Sequence, residues 1–87
     1  MMMNYKEAKQ VFLNNEYREG AIVLKAWELP DSFIFEFVMD GGGARYDRVY
    51  RDEDHPLFEF SPEPMLAYLD AGRKKLNTLL AAARRIV

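Results

Sequence analysis

Cysteine is absent from the chain, and histidine occurs only once, at His55. Without cysteine there is no disulfide, no thiolate metal site and no cysteine nucleophile. A structural zinc site usually takes four nitrogen or sulfur ligands, which one histidine in an acidic turn cannot supply. The hydroxyl side chains of Ser32, Ser61 and Thr78 have no histidine near them in the sequence. The sequence therefore predicts no metal, no cofactor and no catalytic residue, and it favours a protein that is not an enzyme.

Long apolar runs are also absent, since none approaches the roughly 20 residues that span a bilayer. The first residues, Met1 to Glu7, lack the apolar segment of a secretory signal. The lack of cysteine is compatible with a reducing compartment. Together these features predict a cytoplasmic protein that does not enter a membrane.

A large excess of positive charge is missing too, because the formal net charge is -2 and the pI is near 5.3. The charge is unevenly distributed: residues 1–63 hold 7 basic and 13 acidic side chains (net -6), whereas residues 64–87 hold 5 and 1 (net +4). A chain built to coat nucleic acid usually has a broad basic face. Nucleic-acid contact through Arg73, Lys74 and Lys75 therefore stays the alternative to a protein partner, and helix-dipole complementation explains the same cations without a ligand.

What the chain does contain is core-forming material, with 49% apolar and 14% aromatic residues in 87. This length supports one compact core, so residues 1–87 are predicted to form a single domain. Apolar residues at helical spacing predict a first helix from Asn4 to about Asn15, where Asn4 and Glu7 match a capping box. A second helical pattern runs from a cap at Ser61 to Ile86, with Gly72 interrupting it.

Four strands are predicted between these helices. Ala21 to Leu29 is rich in β-branched and aromatic residues, and Ser32 to Met39 alternates with its phenylalanines on one face. Arg45 to Arg51 is a third strand with a polar, solvent-exposed outer side, and His55 to Phe60 is a short fourth. The short connections require antiparallel neighbours. The predicted fold is α+β: a helix, a four-stranded antiparallel meander and a long C-terminal helix (α-β-β-β-β-α), with the helices in a single layer on one sheet face.

Two surfaces of this predicted sheet suggest binding. A second apolar set opposes the phenylalanine face and favours a dimer or a docked partner, unless the first strand is buried on both sides; it comprises Ile22, Leu24, Ile34 and Val38. The predicted partner surface combines aromatic residues of the third strand with nearby acids: Tyr46, Tyr50, Asp52, Glu53, Asp54 and Glu59. Acidic surfaces that contain aromatic residues suit the capture of basic proteins.

Three other patterns have a simple structural interpretation. The acids around Asp52 match no calcium-loop spacing. Gly41 to Gly43 lack the Lys-Ser/Thr sequence of a phosphate loop and fit a hairpin turn. A carboxylate pair drawn from Glu28, Glu36 and Asp47 stays open as a site, because strand residues can converge in space, but no spacing singles out one pair.

Three segments together resemble the YrhB-like family of bacterial immunity-type proteins: Tyr5-Lys6-Glu7-Ala8, Ser32-Phe33-Ile34-Phe35-Glu36-Phe37 and His55-Pro56-Leu57-Phe58-Glu59-Phe60. The resemblance covers roughly residues 4–70 and consists of element order and aromatic strands. The shorter loop between the middle strands and the long C-terminal helix depart from it. It implies a cytoplasmic protein that neutralises a toxin by binding, without catalysis, and it assigns no individual residue.

The sequence thus favours a small non-catalytic protein-interaction module of an immunity-like or phage-related regulatory kind. Protein binding or self-association is the expected mode of action. A nucleic-acid accessory protein is the alternative, and an enzyme or small-ligand carrier is the third hypothesis.

Overall fold

A computed structural model of the chain describes residues 2–52, 58–59 and 70–87. The described elements are two α-helices, one 3-10 helix and five strands: α1 (Tyr5–Asn14), the 3-10 helix Glu16–Arg18, β1 (Ile22–Glu28), β2 (Ser32–Val38), β3 (Arg45–Tyr50), β4 (Phe58–Glu59), α2 (Asp70–Ala82) and β5 (Arg84–Arg85). All strand pairs are antiparallel, and their order in the sheet is β4-β3-β2-β1-β5. The predicted α+β class with an antiparallel sheet and two helices is confirmed.

The first helix begins as its sequence predicts. The backbone N–H of Glu7 donates to Asn4 Oδ1 at 2.9 Å, and the Asn4 N–H donates to Glu7 Oε1 at 3.1 Å. This reciprocal capping box satisfies two backbone donors that would otherwise lack helical partners. The helix then buries Ala8 and Phe12 against the sheet.

Two tight hairpins join the three long strands. Pro30 and Asp31 connect β1 to β2, where the Leu29 N–H donates to the Ser32 carbonyl at 2.8 Å. Gly41, with φ of +73°, turns the chain after β2, in a conformation that glycine adopts without steric cost. The register places Phe33, Phe35 and Phe37 opposite Val49, Asp47 and Arg45.

The apolar core lies between α1 and the phenylalanine face of β2. Phe12 stacks on Phe35 with centroids 4.9 Å apart and meets Phe37 edge-on at the same distance. Tyr5 contacts Phe33 and Phe35 in the same layer, with centroids 5.9 Å away. Aromatic pairs in these geometries add about 0.5–1.5 kcal/mol to the burial of their area. Placement of both helices in one layer stays a prediction.

The C-terminal segment differs from the sequence prediction. The helix ends at Ala82 rather than continuing to Ile86, and Arg84–Arg85 form a fifth strand beside β1. The Ile86 N–H donates to the Ala26 carbonyl at 2.9 Å, which continues the pairing beyond β5. Arg84 and Arg85 therefore belong to the sheet and not to α2. The proposed Ser61 cap lies outside the described residues.

The predicted exposure of the charged side of β3 is also wrong. Asp47, Arg48 and Val49 are all buried. Two of them carry charge, and each has an ionic partner far from it in the sequence, Arg18 for Asp47 and Asp31 for Arg48. These partners allow the charges to be buried.

Candidate protein-binding surface

The strand register collects aromatic side chains on the sheet face opposite α1. Trp27 pairs with Ile34, which pairs with Arg48, while Tyr46 pairs with Glu36 and Tyr50 pairs with Ser32. Directly opposed residues of antiparallel strands point to the same face. Trp27, Tyr46 and Tyr50, which we call the aromatic face, are each half-buried. Ile34 is fully buried among them.

Tyr46 is held by both its ring and its hydroxyl. Its ring lies 6.2 Å from that of Trp27, and its hydroxyl donates to Glu36 Oε1 at 3.0 Å. Burial raises the pKa of Tyr46, and the hydrogen bond and negative charge of Glu36 raise it further. Lys25 Nζ lies 3.9 Å from Glu36 Oε2, an ion-pair distance too long for a hydrogen bond. The buried Oε2 has no hydrogen-bond partner among the described residues.

Tyr50 lies at the other end of the face, under the guanidinium of Arg48. The Arg48 Cζ is 4.5 Å from the centroid of the Tyr50 ring, within cation–π range. Arg48 also donates through Nε to Ser32 Oγ at 2.8 Å and through Nη2 to both Asp31 oxygens at 3.2 Å. Burial alone would raise the pKa of Asp31, but the Ser32 hydroxyl and the Arg48 charge together lower it. This network fixes the cation over the Tyr50 ring.

A second ion pair is buried on the α1 side and is structural. Arg18 Nε donates to Asp47 Oδ2 at 2.6 Å and Nη2 donates to Oδ1 at 3.1 Å, a bidentate arrangement. Arg18 Nη1 also donates to the Tyr17 carbonyl, and its Cζ lies 5.0 Å from the centre of the Phe37 ring. Burial raises the pKa of Asp47 and the Arg18 charge opposes the rise. The pair ties the 3-10 helix to β3.

The carboxylates considered in the sequence do not form one site. Asp47 faces α1, Glu36 lies on the aromatic face, and Glu28 lies at the end of β1. Glu28 pairs with Arg84 and lies 3.9 Å from Arg51 Nη2. Glu28, Arg51 and Arg84 line an open depression of about 280 Å³, together with Leu29 and Pro30. Within the described chain, no group of three histidine, aspartate or glutamate side chains is placed to hold a metal ion.

The predicted acidic part of the surface is only partly described. Asp52 is exposed, and its backbone forms an isolated bridge with Met2. Glu59 lies in β4, where its backbone is in register with Arg48. Glu53 and Asp54 lie outside the described residues, as does His55. The structure thus brings two predicted residues, Tyr46 and Tyr50, to one face, and it pairs the backbone of Glu59 with that of Arg48.

The predicted basic residues lie in α2. Arg73, Lys74 and Lys75 occupy the first half of its described span, and both lysines are exposed. The Thr78 hydroxyl donates to the Lys74 carbonyl at 2.8 Å, one turn further along. These three residues are consecutive on a helix of 3.6 residues per turn, so they spread over much of its circumference.

Two members of the surface were missed in the sequence. Trp27 falls in the first predicted strand, where alternation alone did not assign it to the side of Tyr46, because a β-bulge between Val23 and Lys25 shifts the register. The sequence pattern did not predict a role for Arg48. The alternation of Tyr46, Arg48 and Tyr50 is the signal that places it between the two tyrosines.

Comparison of the chain with protein-family models, curated proteins and solved structures finds no match in any of the three. The resemblance to the YrhB-like family therefore stays a prediction. Among the described residues, no helix combines the length and apolar character that crossing a membrane requires.

Proposed function

We propose that the protein is a non-catalytic protein-interaction module whose binding surface is the aromatic face. The observation that carries the proposal is the arrangement of Trp27, Tyr46 and Tyr50, which are half-buried and oriented by fixed neighbours. Tryptophan, tyrosine and arginine are the residues in which binding energy concentrates at protein interfaces. Side chains that are already oriented lose less conformational entropy when a partner docks.

The charge of the chain favours a basic partner. Residues 1–63 carry a net charge of -6, and exposed Asp52 lies just beyond the β3 end of the aromatic face. Complementary charge accelerates encounter between proteins and excludes unsuitable partners. A basic toxin is the partner that the YrhB-like resemblance implies, which is the immunity-like form of the proposal. A phage-related regulatory protein that binds a basic target is the other form.

The proposal is tested in two steps. Tagged protein is first used to recover partners from host extract at low salt, with and without nuclease. Affinity for the purified partner is then measured by calorimetry for Tyr46→Ala, Tyr50→Ala and the control Tyr17→Ala. Tyr17 is 72% exposed and lies in the 3-10 helix, off the aromatic face.

We expect each aromatic-face substitution to weaken binding at least about tenfold, or about 1.4 kcal/mol. Tyr17→Ala should leave affinity within about twofold of the wild type, which is below the loss that marks an interface hot spot. Circular dichroism and denaturant unfolding establish that each variant is folded at the assay temperature. Unchanged affinity in both aromatic-face variants would remove this surface from the proposal, and failure to recover a stoichiometric protein would remove the function.

The nucleic-acid alternative has its own observation, the exposure of Lys74 and Lys75 on α2. It predicts recovery that is lost on nuclease treatment, together with binding that weakens steeply as salt increases. Replacing Arg73, Lys74 and Lys75 with glutamine should then reduce the salt dependence. Nuclease-resistant recovery that survives this triple substitution favours the protein partner.

A further inference from the structure

The first half of β1 is an open sheet edge within the described chain. β2 pairs with β1 from Ile22 to Glu28, but β5 pairs only with Trp27 and Glu28 on the other side. Backbone bonds from Ile86 and Val87 extend this cover to Ala26 and no further among the described residues. Except for the Ala21 N–H, which donates to the Arg18 carbonyl at 3.0 Å, residues 21–25 therefore present one side of their backbone to an added strand.

This edge differs from the β5 edge, which is blunted. Strand β5 is two residues long and consists of two exposed arginines, features that discourage strand addition. In contrast, Ile22 is 63% exposed and Leu24 is 47% exposed on the open part of β1. Lys25 is the only charged residue of the open segment, and the bulge at Leu24 is its only irregularity.

We propose that the open edge of β1 binds the same edge of a second copy of this chain in an antiparallel β1–β1 pair. The open segment is bounded by the turn at Gly20, where φ is +81°, and by β5 at Ala26. Its centre is Val23, so a two-fold pairing centred there uses the whole segment. Each edge then supplies the same surface to the other, as an isologous dimer requires.

The sequence of the segment is complementary to itself in this register. Ile22 of each copy lies opposite Leu24 of the other copy, and the two Val23 residues face each other. The two Lys25 residues lie at opposite ends of the ladder, about 13 Å apart for four residues of strand. That separation exceeds the screening length of about 8 Å at physiological salt. A register that places Lys25 opposite Lys25 is disfavoured by repulsion.

The pair is expected to be weak, because a ladder of five residues buries less than the roughly 1,200–2,000 Å² of standard interfaces. Sedimentation equilibrium from about 10 µM to about 1 mM covers the corresponding affinity range. We expect a reversible monomer–dimer equilibrium that Leu24→Lys weakens at least tenfold. The control Met2→Lys adds the same charge at another exposed apolar residue, 60% exposed and bridged to Asp52, and should leave the equilibrium unchanged.

The register is tested by cross-linking, which the absence of native cysteine makes unambiguous. Val23→Cys places two thiols at directly opposed positions, where Cα separations suit a disulfide. Lys25→Cys places them too far apart. We expect an oxidised dimer with Val23→Cys and none with Lys25→Cys under equal oxidant.

Several outcomes would overturn the proposal. They are a wild type that stays monomeric up to the highest concentration, a dimer that Leu24→Lys leaves intact, and equal cross-linking of both cysteine variants. Loss of affinity for a heterologous partner in Leu24→Lys, with the wild type monomeric, would assign the edge to that partner's strand instead. The aromatic-face variants are expected to dimerise normally, so this test is independent of the proposed function.

Discussion

At the scale of single residues, the buried Arg18–Asp47 pair shows what sequence patterns miss. Asp47 lies opposite Phe35 on the core face, where an isolated carboxylate would be strongly disfavoured. Its partner precedes it by 29 residues, in a short 3-10 helix. Strand alternation places Asp47 on the face of β3 opposite to that of Tyr46 and Tyr50. It carries no information on a cation that lies so far away in the sequence. The burial of β3 could not be predicted for this reason.

We predict that removing one member of this ion pair destabilises the protein more than replacing both members with apolar residues. Arg18→Met leaves the buried carboxylate without its cation and should lower the free energy of unfolding by about 3–5 kcal/mol. The double variant Arg18→Met/Asp47→Leu removes both charges and should lie within about 1 kcal/mol of the wild type. Urea unfolding at constant pH measures both values.

The control compares how the stability of two single variants, Arg18→Met and Asp47→Leu, depends on pH. Burial raises the folded-state pKa of Asp47, so the folded state binds protons more tightly than the unfolded state. Without Arg18 this difference grows, and stability should therefore increase as the pH falls through the raised pKa of Asp47 toward the ordinary pKa of an aspartate. Asp47→Leu instead leaves an arginine that cannot deprotonate, so acid should bring no such relief. Parallel pH profiles for the two variants would contradict this explanation.

Tyr5 and Tyr46 allow a comparison of how much a tyrosine hydroxyl contributes to stability without and with a hydrogen-bond partner. The Tyr5 hydroxyl is buried with no hydrogen-bond partner among the described residues, whereas the Tyr46 hydroxyl donates to Glu36. Tyr5→Phe should leave stability unchanged or raise it, because it removes an unpaired polar group from the core. Tyr46→Phe should cost about 1–2 kcal/mol, since it removes a bond to a partly buried carboxylate. Equal effects in thermal unfolding would show that the local bonding does not decide the cost.

At the scale of elements, local sequence signals predict the ends of a strand well where the strand that pairs with it is near in the sequence. The first three strands begin and end within about a residue of their predicted limits, because hairpin neighbours are joined by turns with recognisable residues. The final strand was missed because Ala83 and Ile86 continue the helical spacing of α2. Its pairing with β1 spans more than 50 residues, and no local pattern reports it.

The start of α1 gives a prediction at this scale. Asn4→Ala removes the side-chain acceptor for the Glu7 N–H and half of the capping box. It should lower the free energy of unfolding by about 1 kcal/mol. Lys6→Ala, at an exposed position within the same helix, is the control and should change stability by less than about 0.5 kcal/mol. A similar loss in both variants would mean that the side-chain acceptor of Asn4 does not set the stability of this end.

At the scale of the whole molecule, one face of the sheet packs against α1, and the other face holds the aromatic side chains of the proposed binding surface. The core side follows from sequence, since the phenylalanines of β2 and the apolar stripe of α1 match in period and size. The aromatic face depends on tertiary placement, because Trp27, Tyr46 and Arg48 come together only through the β1 bulge and the strand register. The two tyrosines that the sequence did predict, Tyr46 and Tyr50, lie on β3, which is adjacent to β2 in both sequence and space.

In the proposed β1–β1 pair, strand β5 limits the length of the edge that is open for pairing, and one substitution tests this. Ile86→Pro removes the N–H that donates to the Ala26 carbonyl, together with part of an apolar contact with the core. It should cost about 2 kcal/mol without unfolding the protein, because the buried aromatic core lies on α1 and β2. Release of β5 would lengthen the open edge of β1 from residues 21–25 to 21–28.

The prediction is therefore a less stable chain that dimerises more tightly, which is opposite to the usual effect of a destabilising change. Sedimentation equilibrium should show a dimer affinity at least about tenfold higher than that of the wild type, since an edge of residues 21–28 lets the two-fold centre move from Val23 to between Leu24 and Lys25, and the three further strand residues then add ladder contacts of about 0.5 kcal/mol or more each. Ile86→Val keeps both the N–H and most of the side chain and should dimerise like the wild type. Because adding Leu24→Lys to Ile86→Pro blunts the same edge, it should reverse the gain; a gain that persists would mean that another surface mediates the association.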